Sequence, residues 1–220
     1  MKHIIWDFNG TLLGDAQLSV DVDNAVFDRL GLPRITLDTY RRHMTMPVYD
    51  FYAALGIDLV AYPYETISRL WLDLFNAGAV GAGLVPGALE AVRHFDRIGY
   101  TQSVLSASYT PSLRAQCDAL GLTPYMRAID GRADESGGKK TDIARKHMAR
   151  LGLTGDDTIL VGDMATDAQL AQKLGARCVL VSWGHNDLPR LEASGCPVVH
   201  SFDQLKEILF SLHSGSLLGA

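Results

Sequence analysis

The sequence predicts an α/β fold in which a Rossmann-like parallel sheet is flanked by helices, with an α-helical segment inserted near its start. Short apolar runs alternate with longer stretches of helical periodicity along most of the chain, as is typical of parallel strands joined by helices. Aspartate or serine follows several of the apolar runs directly. Ligands bind beyond the carboxyl ends of such strands, so these polar residues are the first candidates for a functional site.

The elements of the predicted core follow from this alternation. Strands are predicted at residues 4–8, 102–105, 127–129, 158–161, 178–181 and 198–200. Helices are predicted at residues 87–98, 112–120, 141–151, 165–174 and 204–212. Glycines at positions 99, 121, 152 and 175 follow four of these segments, where glycine commonly ends a helix.

Residues 14–83 interrupt the alternation, because they contain several amphipathic helical segments and no convincing strand. Turn signals divide this stretch into four expected helices. This stretch ends in a glycine-rich run at residues 78–83, which is typical of a loop or hinge. We therefore expect a core domain of residues 1–13 and 84–220 that carries an inserted helical cap domain of residues 14–83.

Composition excludes several functional classes. The 220-residue chain has a formal net charge of −5, which disfavours nucleic-acid binding. No apolar run reaches the roughly 18 residues of a membrane helix, and no signal peptide is apparent, so a cytoplasmic protein without a membrane partner is expected. The three cysteines show no metal-site spacing. A monomer or homodimer is expected.

Polar motifs occur in four places along the predicted core. They are Asp7-Phe8-Asn9-Gly10-Thr11, Ser106-Ala107-Ser108, the pair Lys139-Lys140, and Gly162-Asp163 followed by Asp167. Asp7 and Asp163 follow strands that are expected to be neighbours, so their carboxylates converge. Two such groups without nearby bases favour a hard divalent cation, Mg²⁺.

The order of these motifs resembles the haloacid dehalogenase (HAD) superfamily, in its helical-cap branch with phosphoglycolate phosphatase and β-phosphoglucomutase. The resemblance implies that Asp7 is the nucleophile and binds Mg²⁺ together with Asp163 and the main-chain carbonyl of Asn9. It also implies that Ser106 and a lysine hold the phosphoryl group, and that Asp167 orients the site. Lys140 matches the family spacing better than Lys139, its rival. Gly10, Thr11, Ala107 and Ser108 are implied as substrate contacts.

Asn9 departs from the family pattern, in which a second aspartate acts as general acid and base. An amide does not exchange a proton at neutral pH, and the lost assistance is typically worth about 10²–10⁴-fold. A mutase function is therefore disfavoured. A Schiff-base hydrolase is disfavoured too, because no lysine lies between Lys2 and Lys139. A relocated acid is open among Asp15, His43 and a group of the substrate.

The resemblance thus implies a Mg²⁺-dependent phosphatase that acts on a small phosphorylated metabolite through an aspartyl-phosphate at Asp7. The alternatives are a degenerate protein that binds a phosphorylated ligand or partner without turnover, and a dehalogenase-like hydrolase. Three neighbouring residues of the cap, Arg41, Arg42 and His43, are candidate substrate contacts. An arginine there would receive a carboxylate or a distal phosphate, and the histidine would titrate near neutral pH.

Overall fold

The computed structural model describes residues 2–133 and 140–214, and within them six parallel strands form one sheet. The strand order is β3-β2-β1-β4-β5-β6. The strands are β1 (His3–Trp6), β2 (Thr101–Tyr109), β3 (Ile129–Arg132), β4 (Thr158–Gly162), β5 (Arg177–Val181) and β6 (Val198–Val199). The predicted α/β fold with a parallel sheet is confirmed.

Helices cover both faces of this sheet. Successive side chains of its central strands point to opposite faces, so each strand contributes to the core on both sides. Ile4 and Trp6 pack on the face covered by α5 (Ala88–Arg97), α6 (Thr110–Ala119) and α10 (Phe202–Ser214). Ile5 packs on the opposite face, which is covered by α7 (Lys140–Leu151), α8 (Ala165–Leu174) and α9 (Leu188–Glu192). The short helix α9 was not predicted from the sequence.

Residues 16–82, all of them described, form four helices between β1 and β2. They are α1 (Ala16–Leu30), α2 (Leu37–His43), α3 (Val48–Ala54) and α4 (Tyr64–Ala82). Their inward faces share a separate hydrophobic cluster that includes Phe27, Phe51, Tyr52 and Ile67. None of the helices in the described part of the chain has both the length and the apolar character needed to cross a membrane.

The glycine-rich run at residues 78–83 is not a loop, which corrects the sequence expectation. Helix α4 continues through it to Ala82, and only Gly83, with φ of +71°, lies beyond the helix end. Close packing between two helices explains why a glycine occupies position 78 within α4. A Cβ atom there would lie 3.0 Å from Cδ1 of Leu18 on α1, so the glycine permits the close packing of α1 against α4.

A buried polar chain joins the start of the sheet to α7. Nε2 of His3 lies 2.6 Å from the Ser103 hydroxyl, which lies 2.7 Å from Nε2 of His147. Nδ1 of His147 lies 2.7 Å from Oδ2 of Asp130 on β3. Burial, followed by the charges of His147 and Arg127, lowers the pKa of His3 to about 4. His3 is therefore neutral in the folded protein at neutral pH.

Acid should destabilise the protein through His3. The unfolded chain binds a proton near pH 6.5 and the folded protein only near pH 4, so stability is lost as the pH falls between these values. Between pH 7 and 4.5 this linkage lowers the free energy of unfolding by about 2.5 kcal/mol. Urea unfolding should therefore show a weaker pH dependence for His3→Gln than for wild type, whereas His200→Gln, at an exposed histidine, should match wild type. Equal dependence in all three proteins would contradict this linkage.

Candidate functional site

The carboxylates predicted to converge do so at the carboxyl edge of the sheet. Asp7 follows β1 and Asp163 follows β4, and the parallel register that pairs Trp6 with Val161 brings these strand ends side by side. Asp167 lies in the first turn of α8. One carboxylate oxygen from each of these three residues lies within 4.8 Å of the others. All three residues are buried.

Lys140, the first residue of α7, lies among these carboxylates. Its Nζ donates to Oδ1 of Asp7 at 2.6 Å and to Oδ1 of Asp167 at 2.8 Å. Burial alone would lower the pKa of Lys140, but Asp167 and Asp7 outweigh that effect and raise it, so the ammonium stays charged. The structure thus brings Lys140 to the nucleophile candidate. Lys139, its rival, lies outside the described residues.

Both oxygens of Asp163 are held by the protein. The Thr11 hydroxyl donates to Oδ1 at 2.9 Å, and the main-chain N–H of His185 donates to Oδ2 at 2.7 Å. Gly10 has a φ of +71°, and a Cβ atom there would lie 2.3 Å from Oδ2 of Asp163. A side chain at position 10 therefore does not fit, and the Thr11 hydroxyl orients Asp163.

The Asn9 amide is bonded on both sides. Its Nδ2 donates to Oδ2 of Asp15 at 2.8 Å. Its Oδ1 accepts a hydrogen bond from the Ser108 hydroxyl at 2.9 Å and one from the Ser106 hydroxyl at 3.3 Å. Ser106 and Ser108 extend from β2 to the same edge as Asp7, with the half-buried Ala107 between them. The amide thus links the first motif to the serine motif.

Asp15 and His185 form a buried pair behind Asn9. Oδ1 of Asp15 accepts from the Gly10 N–H at 2.6 Å and lies 3.4 Å from Nε2 of His185. Nδ1 of His185 lies 2.9 Å from the hydroxyl of Tyr40 on α2. Burial lowers the pKa of His185, but the carboxylates of Asp15 and Asp163 dominate and raise it to about 9. The imidazole is therefore a cation at neutral pH.

The charges of the site fit a divalent metal ion. The site buries four carboxyl groups, those of Asp7, Asp15, Asp163 and Asp167, beside two cations, Lys140 and the His185 imidazolium. Burial raises the pKa of Asp7 to about 8, with Lys140 opposing this and Asp167 and Asp163 adding to it. Carboxyl groups crowded in this way are the hard oxygen ligands that Mg²⁺ prefers, because a bound divalent cation would offset their charge as they ionise. The residues present therefore suit Mg²⁺.

The three predicted cap contacts are not brought to these carboxylates. Arg41 is instead committed to main-chain carbonyls, since its Nε donates to Gly184 at 2.8 Å and its Nη2 to Trp183 at 2.7 Å. The expectation that Arg41 receives a substrate anion stays a prediction. Nδ1 of His43 lies 2.9 Å from the carbonyl oxygen of Thr39, one helical turn earlier, and Arg42 is exposed.

The sequence interpretation missed His185 and Tyr40. His185 lies four residues beyond the end of β5, at the same edge as the other site residues. Because ligands bind beyond the carboxyl ends of parallel strands, its place in the sequence could have indicated a role in the site. Tyr40 carries no such signal, because it looks like an ordinary buried position of an amphipathic helix. Asp15, one of the groups considered as a general acid in place of an aspartate at position 9, contacts the Asn9 side chain directly.

Similarity to known proteins agrees with this arrangement. The chain matches the haloacid dehalogenase-like hydrolase family over residues 4–181. It is 28% identical over 211 residues to a phosphoglycolate phosphatase of Mesorhizobium japonicum, with 92% of each chain covered. It is 24% identical to the tyrosine-protein kinase PtkA of Mycobacterium tuberculosis, covering 94% of this chain and 72% of that one.

The fold is also found among solved structures. A predicted phosphatase from Clostridium acetobutylicum superposes with a TM-score of 0.82 at 21% identity, covering 95% of this chain and 98% of that one. The family match spans most of the chain and includes Asp7, Ser106, Lys140 and Asp163. The protein therefore belongs to the haloacid dehalogenase-like hydrolase family.

Proposed function

We propose that this protein is a Mg²⁺-dependent phosphatase that hydrolyses a small phosphorylated metabolite through an aspartyl-phosphate on Asp7. The observation that carries the proposal is the contact between Asp7 and Lys140 inside a cluster of buried carboxylates. A nucleophilic carboxylate paired with a fixed cation suits attack on phosphorus, since the phosphoryl group brings further negative charge. The phosphoglycolate phosphatase of M. japonicum supports the same reaction class.

The protein groups have distinct tasks in this reaction. Asp7 attacks phosphorus, the bond to the leaving oxygen breaks, and water then attacks phosphorus to release phosphate and regenerate Asp7. Lys140 and the Ser106 hydroxyl hold the phosphoryl oxygens. A divalent cation held by Asp7, Asp163 and the main-chain carbonyl of Asn9 would neutralise charge as the anions approach each other. Asp167 keeps Lys140 aimed at Asp7 through the 2.8 Å contact.

Access to the site is the proposed task of residues 14–83. We propose that these residues form a cap over the carboxyl edge of the sheet, which limits the substrate to a small molecule. The contact of Tyr40 with His185 supports this arrangement, because it joins α2 of the cap to the surroundings of Asp163.

Two measurements test the proposal together. Phosphate release is followed across a panel of small phosphate esters that includes 2-phosphoglycolate, with and without Mg²⁺. Borohydride added during turnover should reduce the acyl phosphate, so that peptide mass spectrometry finds homoserine at position 7. Release that needs Mg²⁺ together with this product is the expected result. No release with any ester would favour a ligand-binding protein, and Mg²⁺-independent halide release from 2-haloacids would favour a dehalogenase.

Asn9 should restrict the enzyme to esters with good leaving groups. Exchanging the two side chains in Asn9→Asp/Asp15→Asn should raise kcat for alkyl phosphates by about 10²-fold, because a carboxyl group returns to the general acid position. The exchange keeps the hydrogen bond between the side chains of positions 9 and 15, with the amide at position 15 now donating to the carboxylate at position 9. The amide oxygen at position 15 still accepts from the Gly10 N–H. Steady-state phosphate release measures the effect.

The single variants separate the causes of this gain. Asn9→Asp alone sets two carboxylates at the present 2.8 Å contact, so their repulsion should lower the melting temperature. The exchange avoids that repulsion but removes the carboxylate beside His185, so its melting temperature is compared with that of Asp15→Asn. Asp15→Asn alone should give no gain. Turnover of p-nitrophenyl phosphate, whose leaving group needs no proton, should change little in the exchange variant. An exchange variant that hydrolyses alkyl phosphates no faster than wild type would contradict the assignment.

A further inference from the structure

The C-terminal turn of α2 is bonded to a core loop that follows β5. We call residues 183–186 the β5 loop. Arg41 donates from Nε to the carbonyl of Gly184 and from Nη2 to the carbonyl of Trp183. The planar guanidinium thus holds two consecutive peptide units from one side chain, which a lysine ammonium cannot reproduce.

The opposite side of the β5 loop holds Asp163. The main-chain N–H of His185 donates to its Oδ2. A Cβ atom at Gly184 would lie 2.2 Å from the same oxygen, so the loop packs against the carboxylate without spare room. The indole N–H of Trp183 donates to the carbonyl of Thr11 at 3.2 Å, and the Thr11 hydroxyl donates to Oδ1 of Asp163. Both Asp163 oxygens therefore depend on where this loop lies.

We infer that Arg41 is a positioning residue for the cation site, acting from the cap through the β5 loop on Asp163. The inference rests on the proposed function, in which Asp163 binds Mg²⁺. The Gly184 carbonyl that Arg41 holds belongs to the same peptide unit as the His185 N–H, and the Trp183 carbonyl belongs to the unit before it, so releasing them frees the group that orients Oδ2. Arg41 thereby couples the position of α2 to the affinity of the site for Mg²⁺.

Other contacts keep α2 in place when Arg41 is replaced. Nη1 of Arg190 donates to the carbonyl of Met44 at 2.6 Å, and Nδ2 of Asn186 donates to the same carbonyl at 2.8 Å. Nδ1 of His185 remains 2.9 Å from the Tyr40 hydroxyl. An Arg41 variant therefore tests the placement of residues 183 and 184 and leaves the docking of α2 in place.

The test is Mg²⁺ binding by isothermal titration calorimetry in the absence of any substrate. Arg41→Gln should weaken Mg²⁺ affinity by about tenfold, the lower end of what loss of an outer contact to a metal ligand costs. Arg41→Lys should also bind Mg²⁺ more weakly than wild type, because lysine keeps the positive charge but lacks the two guanidinium N–H groups that hold both carbonyls. Arg34→Gln is the matched control, since it removes an arginine that binds Asp28 through two hydrogen bonds on the protein surface. Its Mg²⁺ affinity should equal that of wild type.

The outcomes separate this inference from the proposed function. Mg²⁺ affinities of both Arg41 variants within twofold of wild type would overturn the inference, provided that Asp163→Asn abolishes binding. A wild type that binds no Mg²⁺, or an Asp163→Asn variant that binds it normally, would overturn the cation site and the inference together. A rise in KM for the phosphate ester without a change in Mg²⁺ affinity would make Arg41 a substrate contact instead. Arg41→Lys decides the question if Arg41→Gln does not fold.

Discussion

Asp7→Asn is expected to lower kcat/KM for Mg²⁺-dependent phosphate release by about 10⁴-fold or more, the scale on which enzymes lose activity with their nucleophile. Asparagine has nearly the same shape, and its carbonyl oxygen still accepts the hydrogen bond from Lys140. The fold should therefore persist. The amide does not attack phosphorus, and it also removes one negative charge from the cluster that suits a divalent cation.

Two observations make the Asp7→Asn result decisive. Asp21→Asn, at an exposed aspartate of α1, is purified in the same way and should retain wild-type activity. Thermal unfolding should show a cooperative transition for both variants. Activity of Asp7→Asn within tenfold of wild type would exclude Asp7 as the nucleophile. Equal activity in all preparations would indicate a contaminating phosphatase.

Lys140→Met is expected to lower kcat by about 10³-fold, the scale on which loss of a preorganised charge-stabilising donor reduces turnover. Nζ of Lys140 contacts Asp7 and Asp167 together. Methionine fills similar space but leaves both carboxylates without the ammonium, so the pKa of Asp7 rises further and less of the nucleophile is ionised. The attraction of the site for Mg²⁺ should not fall, because the variant removes a cation that would repel the metal ion.

The neighbouring lysine provides the control for this prediction. Lys139→Met should keep kcat close to wild type, because Lys140 already makes both contacts. Phosphate release and calorimetric Mg²⁺ binding are measured on both variants. Loss of turnover in Lys139→Met with normal turnover in Lys140→Met would reverse the assignment. Loss of Mg²⁺ affinity in Lys140→Met would show that the lysine supports the cation site rather than the phosphoryl group.

The central part of the site was predictable because it follows from local pattern plus one general rule. Apolar runs predict strands, and parallel strands bring their carboxyl ends to one edge of a sheet. Asp7, Ser106 and Asp163 each follow such a run, and the structure brings them to that edge. Lys140 was predicted by order along the chain and resemblance to the family, since a lysine that begins a helix is not distinctive by itself.

The inserted helices were less predictable. Their apolar spacing predicts amphipathic helices, and four are present in residues 16–82. The glycines near the end of α4 suggested a loop because glycine is a poor helix former. Gly78 is instead used for close contact with Leu18, a reason that exists only once α1 and α4 are packed together.

By itself, then, the sequence determined the sheet, the inserted helical segment and the order of the candidate catalytic residues, because short-range periodicity and strand ends encode them. Tertiary structure alone decided the partners of Asn9, Arg41 and His185. Asn9 was the visible departure from the family pattern, yet its partners on Asp15 and Ser108 depend on how the chain turns after β1 and where β2 ends. Arg41 and Gly184 are 143 positions apart, and Tyr40 and His185 are 145 apart. No periodic pattern reports contacts of that separation, because they exist only when the inserted helices pack against the core.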